Sequence, residues 1–179
     1  MIKPDFHRRT SRARKKNLVP LSKLRASEVV RTVVDHPRRL EELINLLRDK
    51  ERSIRGRAAT TVARLSESHP GRLVRHVERL KDALADDSAY VRWHLLYALG
   101  HLIAQFPARA AFTLADVRTG LGDEDRWVRS FACRALERVA ARKPQLIQDL
   151  FPANQEGMPP SVARLLPGDA SKALGSPGQ

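Results

Sequence analysis

Asp86–Gly100 reads DDSAYVRWHLLYALG, and its parts recur at one fixed offset. Thirty-seven residues earlier the chain has DKERSIRGRAATTVA, and thirty-seven later DEDRWVRSFACRALE. Asp49, Asp86 and Asp123 therefore share a column, as do Ile54, Val91 and Val128, and Arg55, Arg92 and Arg129. Pro70, Pro107 and Pro144 follow at the same spacing with no gap. A period held this strictly is an internal repeat, and self-similarity at 20–50 residues is the signature of stacked architectures.

Apolar residues within each copy define its local structure. They run Ile54, Ala58, Val62, Leu65; then Val91, Leu95, Leu99, Leu102; then Val128, Ala132, Leu136, Val139. Steps of four, four and three trace one face of an α-helix, whereas a strand would alternate. A second stripe, Leu73, Val77, Leu80 and Leu84, recurs as Ala110, Leu114, Val117 and Leu121. Each copy is thus a pair of antiparallel helices, with Asp or Ser near the start to accept from free N–H groups and a proline opening the next helix. One pair cannot bury its apolar face alone, so neighbours stack into a continuous core.

These residues resemble the HEAT repeats, above all the short bacterial HEAT-like repeats with a D-x-x-x-x-V-R core. The resemblance rests on Asp49 and Arg55, Asp86 with Val91 and Arg92, and Asp123 with Val128 and Arg129. It implies an all-α, armadillo-like, right-handed α-solenoid, in which those six residues form a ladder of ion pairs between adjacent repeats. It also implies that the second helices line a concave surface. The period of 37 is shorter than the roughly 40–47 residues usual for the family. The proline also opens the first helix instead of lying within it.

The expected organisation is a basic arm over residues 1–26, a solenoid over 27–150, and a cap turn with a loose tail over 151–179. Residues 27–48 read as a degenerate pair covering one end, and SVARLL as a short turn covering the other. The chain of 179 residues carries a net charge of +13. Ten Lys or Arg against Asp5 and Glu28 put +8 of that charge in residues 1–34. Such an arm suits phosphates or an acidic protein surface. No apolar run is long enough to span a membrane and the N-terminus lacks a secretory stretch, so the expected location is the cytoplasm. The single cysteine, Cys133, reads as a buried thiol in a helical core column.

Advancing 100° per residue places the columns headed by Ser53, Arg57, Thr60 and Arg64 between about 240° and 300°, away from the core stripe near 30°. They collect Arg57, Arg64, Tyr90, His94, Tyr97, His101, Trp127, Phe131, Arg134 and Arg138 into a basic and aromatic surface without a carboxylate, and Glu67 and Glu137 lie at its edge. Four of the nine Phe, Trp and Tyr residues fall there, on a face that packing does not require. His94 and His101 stand too far apart for one metal ion and lack a third ligand, so neither a metal nor a cofactor is expected. Arg72 and Arg109 read as the opposite, first-helix face. The leading expectation is a non-catalytic scaffold that binds a macromolecular partner, an acidic protein surface, through this face. The alternative is a nucleic-acid binder. An enzyme related to the HEAT-like alkylpurine DNA glycosylases is the weakest reading, because the aromatic face lacks a central carboxylate. Neither a membrane nor a small-molecule substrate is expected.

Overall fold

The structure, a computed structural model, describes residues 19–151 and 156–167. The basic arm through residue 18 and the tail from residue 168 lie outside the described residues.

Three long helices recur in step with the sequence period: α3 (Arg52–Ser68), α6 (Ala89–Gln105) and α9 (Arg126–Arg142), each of 17 residues. They are the inner helices, and they stack directly on one another, α3 on α6 and α6 on α9. Each is closed by the residue before a proline, His69, Phe106 or Lys143, whose φ near −141°, −129° or −142° lies outside the helical region. The pre-proline clash disfavours helical geometry there, so the chain turns a corner in a single residue. Pro70, Pro107 and Pro144 then occupy the first helical turn, where a missing N–H costs nothing.

The outer helices are not continuous. In the second pair, α4 (Pro70–Leu73) tightens into a 3-10 turn at Val74–His76, resumes as α5 (Val77–Asp82) and closes in a 3-10 turn at Ala83–Ala85. The third repeats this as α7 (Pro107–Ala110), Ala111–Thr113, α8 (Leu114–Thr119) and Gly120–Gly122. Thr113 is buried there and its hydroxyl donates to the Ala110 carbonyl at 2.8 Å, three residues back, which competes with the helical bond and favours the tighter turn.

The core runs without a break from Leu21 to Leu166. Before the first full copy, α1 (Ala26–Asp35) buries Val29 and Val33, and α2 (Leu40–Asn45) buries Leu40, Leu43 and Ile44. Packing begins five residues before the end of the expected arm. Leu21 is buried, its N–H donates to Glu42 at 2.9 Å, and Arg39 joins Glu42 to the Val19 carbonyl. At the far end α10 (Pro144–Leu150) and α11 (Pro160–Ala163) lie on α9, burying Ile147, Phe151, Val162 and Ala163. Gly100 of α6 packs tightly against Ala135 of α9. A Cβ on Gly100 would lie 2.7 Å from the Ala135 Cβ and 2.8 Å from its Cα.

The expected ladder is present as two rungs. Arg55 donates to Asp86 through Nε at 2.6 Å and Nη2 at 3.3 Å, and Arg92 donates to Asp123 at 2.9 and 2.8 Å. The Nη1 of each arginine turns back to the backbone carbonyl six residues earlier, from Arg55 to Asp49, Arg92 to Asp86 and Arg129 to Asp123. Each aspartate in turn holds the loop ahead of the helix, accepting the N–H of Glu51, Ser88 or Asp125. The expectation that each aspartate pairs with a ladder arginine needs correction at Asp49. Among the described residues its carboxylate accepts only the Glu51 N–H, and in the sequence the position one period before Arg55 is Leu18, not an arginine. Arg129 likewise has no aspartate ahead of it, since Pro160 stands in that column.

Two substitutions test this framework by urea denaturation. Arg92→Ala strands Asp123, whose side chain is 16% exposed, and is expected to cost on the order of 1–3 kcal/mol. Gly100→Ala gains up to about 1 kcal/mol in helix propensity, yet the Ala135 backbone blocks its methyl, so a net loss of about 1–3 kcal/mol is expected. Wild-type stability in both variants would contradict the ladder and the close helix crossing.

Candidate functional site

The inner-helix face carries the residues that the periodicity selects, but it does not treat them alike. Arg57, Arg64, Tyr90, Trp127 and Arg134 are exposed, while Tyr97, His101, Phe131 and Arg138 are half-buried. His94 departs from the expectation. It is 5% exposed and lies under the surface because its neighbours are large rings. The His94 imidazole stacks on Trp93 with centroids 3.5 Å apart, and Tyr90 lies 4.3 Å away. Trp93 stacks at 4.5 Å on Phe131 of α9, which places it between two repeats.

Polar bonds close the α3–α6 side of this face. The His94 Nδ1 is 2.7 Å from the Tyr90 carbonyl, which can only accept, so that nitrogen carries the proton. Burial holds the ring neutral, and the charge of Arg64 adds to that effect. The Thr60 hydroxyl has one proton to give and lies 3.0 Å from the Gly56 carbonyl and 3.2 Å from His94 Nε2, while it accepts from the Tyr90 hydroxyl at 3.1 Å. One period element further along, the Tyr97 hydroxyl donates to the Glu67 carboxylate. Burial and this bond raise the Tyr97 pKa. The stripe is therefore not free of carboxylates, because Glu67 reaches in from its edge.

The α6–α9 side is different. Arg134 lies over Phe131 at 5.3 Å and Arg138 over Tyr97 at 5.0 Å. The His101 Nε2 and the Arg138 Nη1 are buried without a hydrogen-bond partner among the described residues. Beside them an open groove of about 610 Å³ is lined by Tyr97, Arg134, Glu137, Arg138, Ala141 and Arg142. Arg142 and Glu137 are absent from the candidate columns read off the sequence. Continuing the i, i+4 series from Arg134 and Arg138 by one step is the signal that finds Arg142.

Two further residues, Cys133 and Arg72, differ from expectation, while Arg109 does not. Cys133 is half-buried, 3.3 Å from the Ser161 hydroxyl and 3.6 Å from Glu137, and burial raises its pKa. Arg72 is not a free outer charge. It caps α1 by donating to the Val33 and Val34 carbonyls at 3.0 and 3.1 Å. Arg109 is exposed.

Helix pairs stacked in register and tied by a side-chain ladder define an α-solenoid. Residues 77–163, from α5 to α11, match the family described as HEAT repeats. No curated protein matches the chain. Among the described residues no helix is long and apolar enough to cross a membrane.

The buried histidines set a pH dependence. Burial, Arg138 and Arg142 lower the His101 pKa from 6.5 to about 4. Burial also lowers His94 and His76. Between 6.5 and about 4 the unfolded chain binds more protons than the folded one, so acidification removes stability through that interval. Asp123, held low by Arg92, and Asp86, where Arg55 and the Ser88 N–H outweigh burial, extend the loss below the ordinary aspartate value of 3.8. The urea midpoint is expected to fall from pH 6.5 to 4, and His101→Gln to shrink that fall. An equal fall in both proteins would remove His101 as a cause.

Proposed function

We propose that this protein is a docking scaffold whose inner-helix face receives an acidic surface of a protein partner. HEAT repeats generally serve as protein-interaction scaffolds, since a stack of short repeats offers an extended surface built on a rigid core. The observation that carries the reading is the state of the rings on this face. Nucleic-acid recognition by stacking needs free aromatic faces. Here Trp93 stacks on His94 and Phe131, Arg134 lies over Phe131, and Arg138 lies over Tyr97. Glu67 and Glu137 further interrupt the positive field that a continuous phosphate backbone would follow. A mixed surface of exposed arginines, half-exposed Tyr90 and Trp127, and scattered carboxylates matches the anatomy of protein interfaces.

The face is tested by charge reversal. The full chain serves as bait for extracts of its source cells, and the retained material is assayed for protein and for nucleic acid. Arg64→Glu with Arg134→Glu is expected to abolish retention of a nuclease-resistant protein. Arg75→Glu with Arg109→Glu, on the exposed outer face, is expected to retain it. Both pairs leave thermal stability within about 1 kcal/mol, because exposed charges contribute little to folding. Equal loss from both faces would leave only diffuse attraction by net charge. Nucleic acid released steeply by salt would favour the nucleic-acid reading instead.

A further inference from the structure

On the reading that the inner-helix face docks protein, we infer that the α6–α9 groove is built for one kind of segment: an extended peptide with an acidic residue at every second position. Its carboxylates would pair in order with Arg134, Arg138 and Arg142.

Spacing is the first argument. Arg134, Arg138 and Arg142 follow one another by four residues on α9 and line the same groove. Four residues of α-helix rise about 6 Å. Alternate side chains of an extended strand lie on one side, about 6.7 Å apart. Over the two intervals the mismatch accumulates to about 1.4 Å, within the reach of an arginine side chain. Adjacent acidic residues would instead point to opposite sides, leaving half of them away from α9.

Unmet bonding is the second argument. The α3–α6 side of the face is closed by the Thr60, Tyr90 and His94 bonds and by Tyr97 to Glu67. Across the α6–α9 side, buried polar atoms of His101 and Arg138 lack partners among the described residues. No salt bridge engages Arg134, Arg138 or Arg142 among the described residues, as none engages Arg57 or Arg64 on α3, so what sets the α6–α9 side apart is the buried, unpaired Nη1 of Arg138. A guanidinium lacking a carboxylate in the free chain gains a charge-assisted pair when one arrives. Glu137, between Arg134 and Arg138 in sequence, supplies an acceptor for a peptide N–H, which a phosphate backbone does not offer.

The test is fluorescence anisotropy on the full chain with labelled, end-blocked peptides. One carries the pattern Glu-Ser-Glu-Ser-Glu and a second, of equal composition, carries Glu-Glu-Glu-Ser-Ser. A helical peptide with Glu at i, i+4 and i+8 and a single-stranded oligonucleotide of equal charge complete the set. The alternating peptide is expected to bind about tenfold more tightly than the blocked one. Arg134→Ala with Arg142→Ala, both exposed, is expected to erase that preference without changing the circular dichroism melt. Arg57→Ala with Arg64→Ala, on α3, is expected to preserve it. Equal affinity for both extended peptides, tighter binding of the helical peptide or the oligonucleotide, or a preference that survives the α9 double variant would each overturn the assignment. Failure here with intact, face-specific protein capture would remove the acidic-strand groove and leave the docking face standing. Capture lost equally from both faces would remove the docking face itself.

Discussion

Each arginine of the ladder performs two tasks with one planar group. Its Nη1 binds backbone carbonyls of the loop that precedes its own helix, and its Nε and Nη2 grip the aspartate of the following repeat. That aspartate in turn holds the N–H two residues ahead of it, in the loop leading to the next inner helix. A guanidinium can satisfy this arrangement because its donors are fixed in a fork, whereas a lysine offers a single mobile point charge. With 13–14% of the arginine side chains exposed, the rungs are partly desolvated. Removing one partner then leaves the other stranded, which is costlier than the net value of the pair. The rungs therefore act as register pins: the stack tolerates no slip that would separate column from column.

Register has consequences on the inner-helix face. Because the rungs fix how far each repeat is rotated and shifted, contacts between neighbouring inner helices recur at set sequence separations. Thr60 meets Tyr90, and Glu67 meets Tyr97, both thirty residues apart. Thr60 meets His94 thirty-four residues apart. These are the period shortened by about two turns and by about one turn of helix, the offsets at which side chains share a face. The two junctions nevertheless differ. Small and hydroxylated residues on α3 let α6 bond across, while Gly100 packs directly against Ala135 where α6 meets α9. There the rings stack and the arginines spread along the groove.

Fold class, repeat length and the ladder partners were legible in the sequence, because each depends on periodicity alone. A 37-residue recurrence fixes which side chains are equivalent, and the 4, 4, 3 spacing of apolar residues fixes which side of each helix is buried. The ends of the ladder were not read correctly: the resemblance assigns all six residues to it, although Leu18 and Pro160 occupy the columns that would have had to continue it. The outer-face role of Arg72 was not legible, because an exposed column on a helical wheel takes no account of the carbonyls of a neighbouring helix end.

What only the tertiary structure decided is how the selected face divides its residues. A wheel assigns His94 and Arg134 the same outward side, yet one is buried beneath Trp93 and Tyr90 and the other is exposed. Angle around a helix says where a side chain starts; what covers it depends on the bulk of its neighbours, here Tyr90 and Trp93 on the same helix together with Thr60 and Phe131 of the adjacent repeats. The same holds for Glu67, which charge patterning left at an edge and which Tyr97 draws into the surface. The sequence thus determined the repeating frame and its pins, because these follow from periodic local rules. Burial, ring stacking and the groove along α9 arise from side chains of adjacent repeats competing for one space, and that competition exists only once the repeats are stacked.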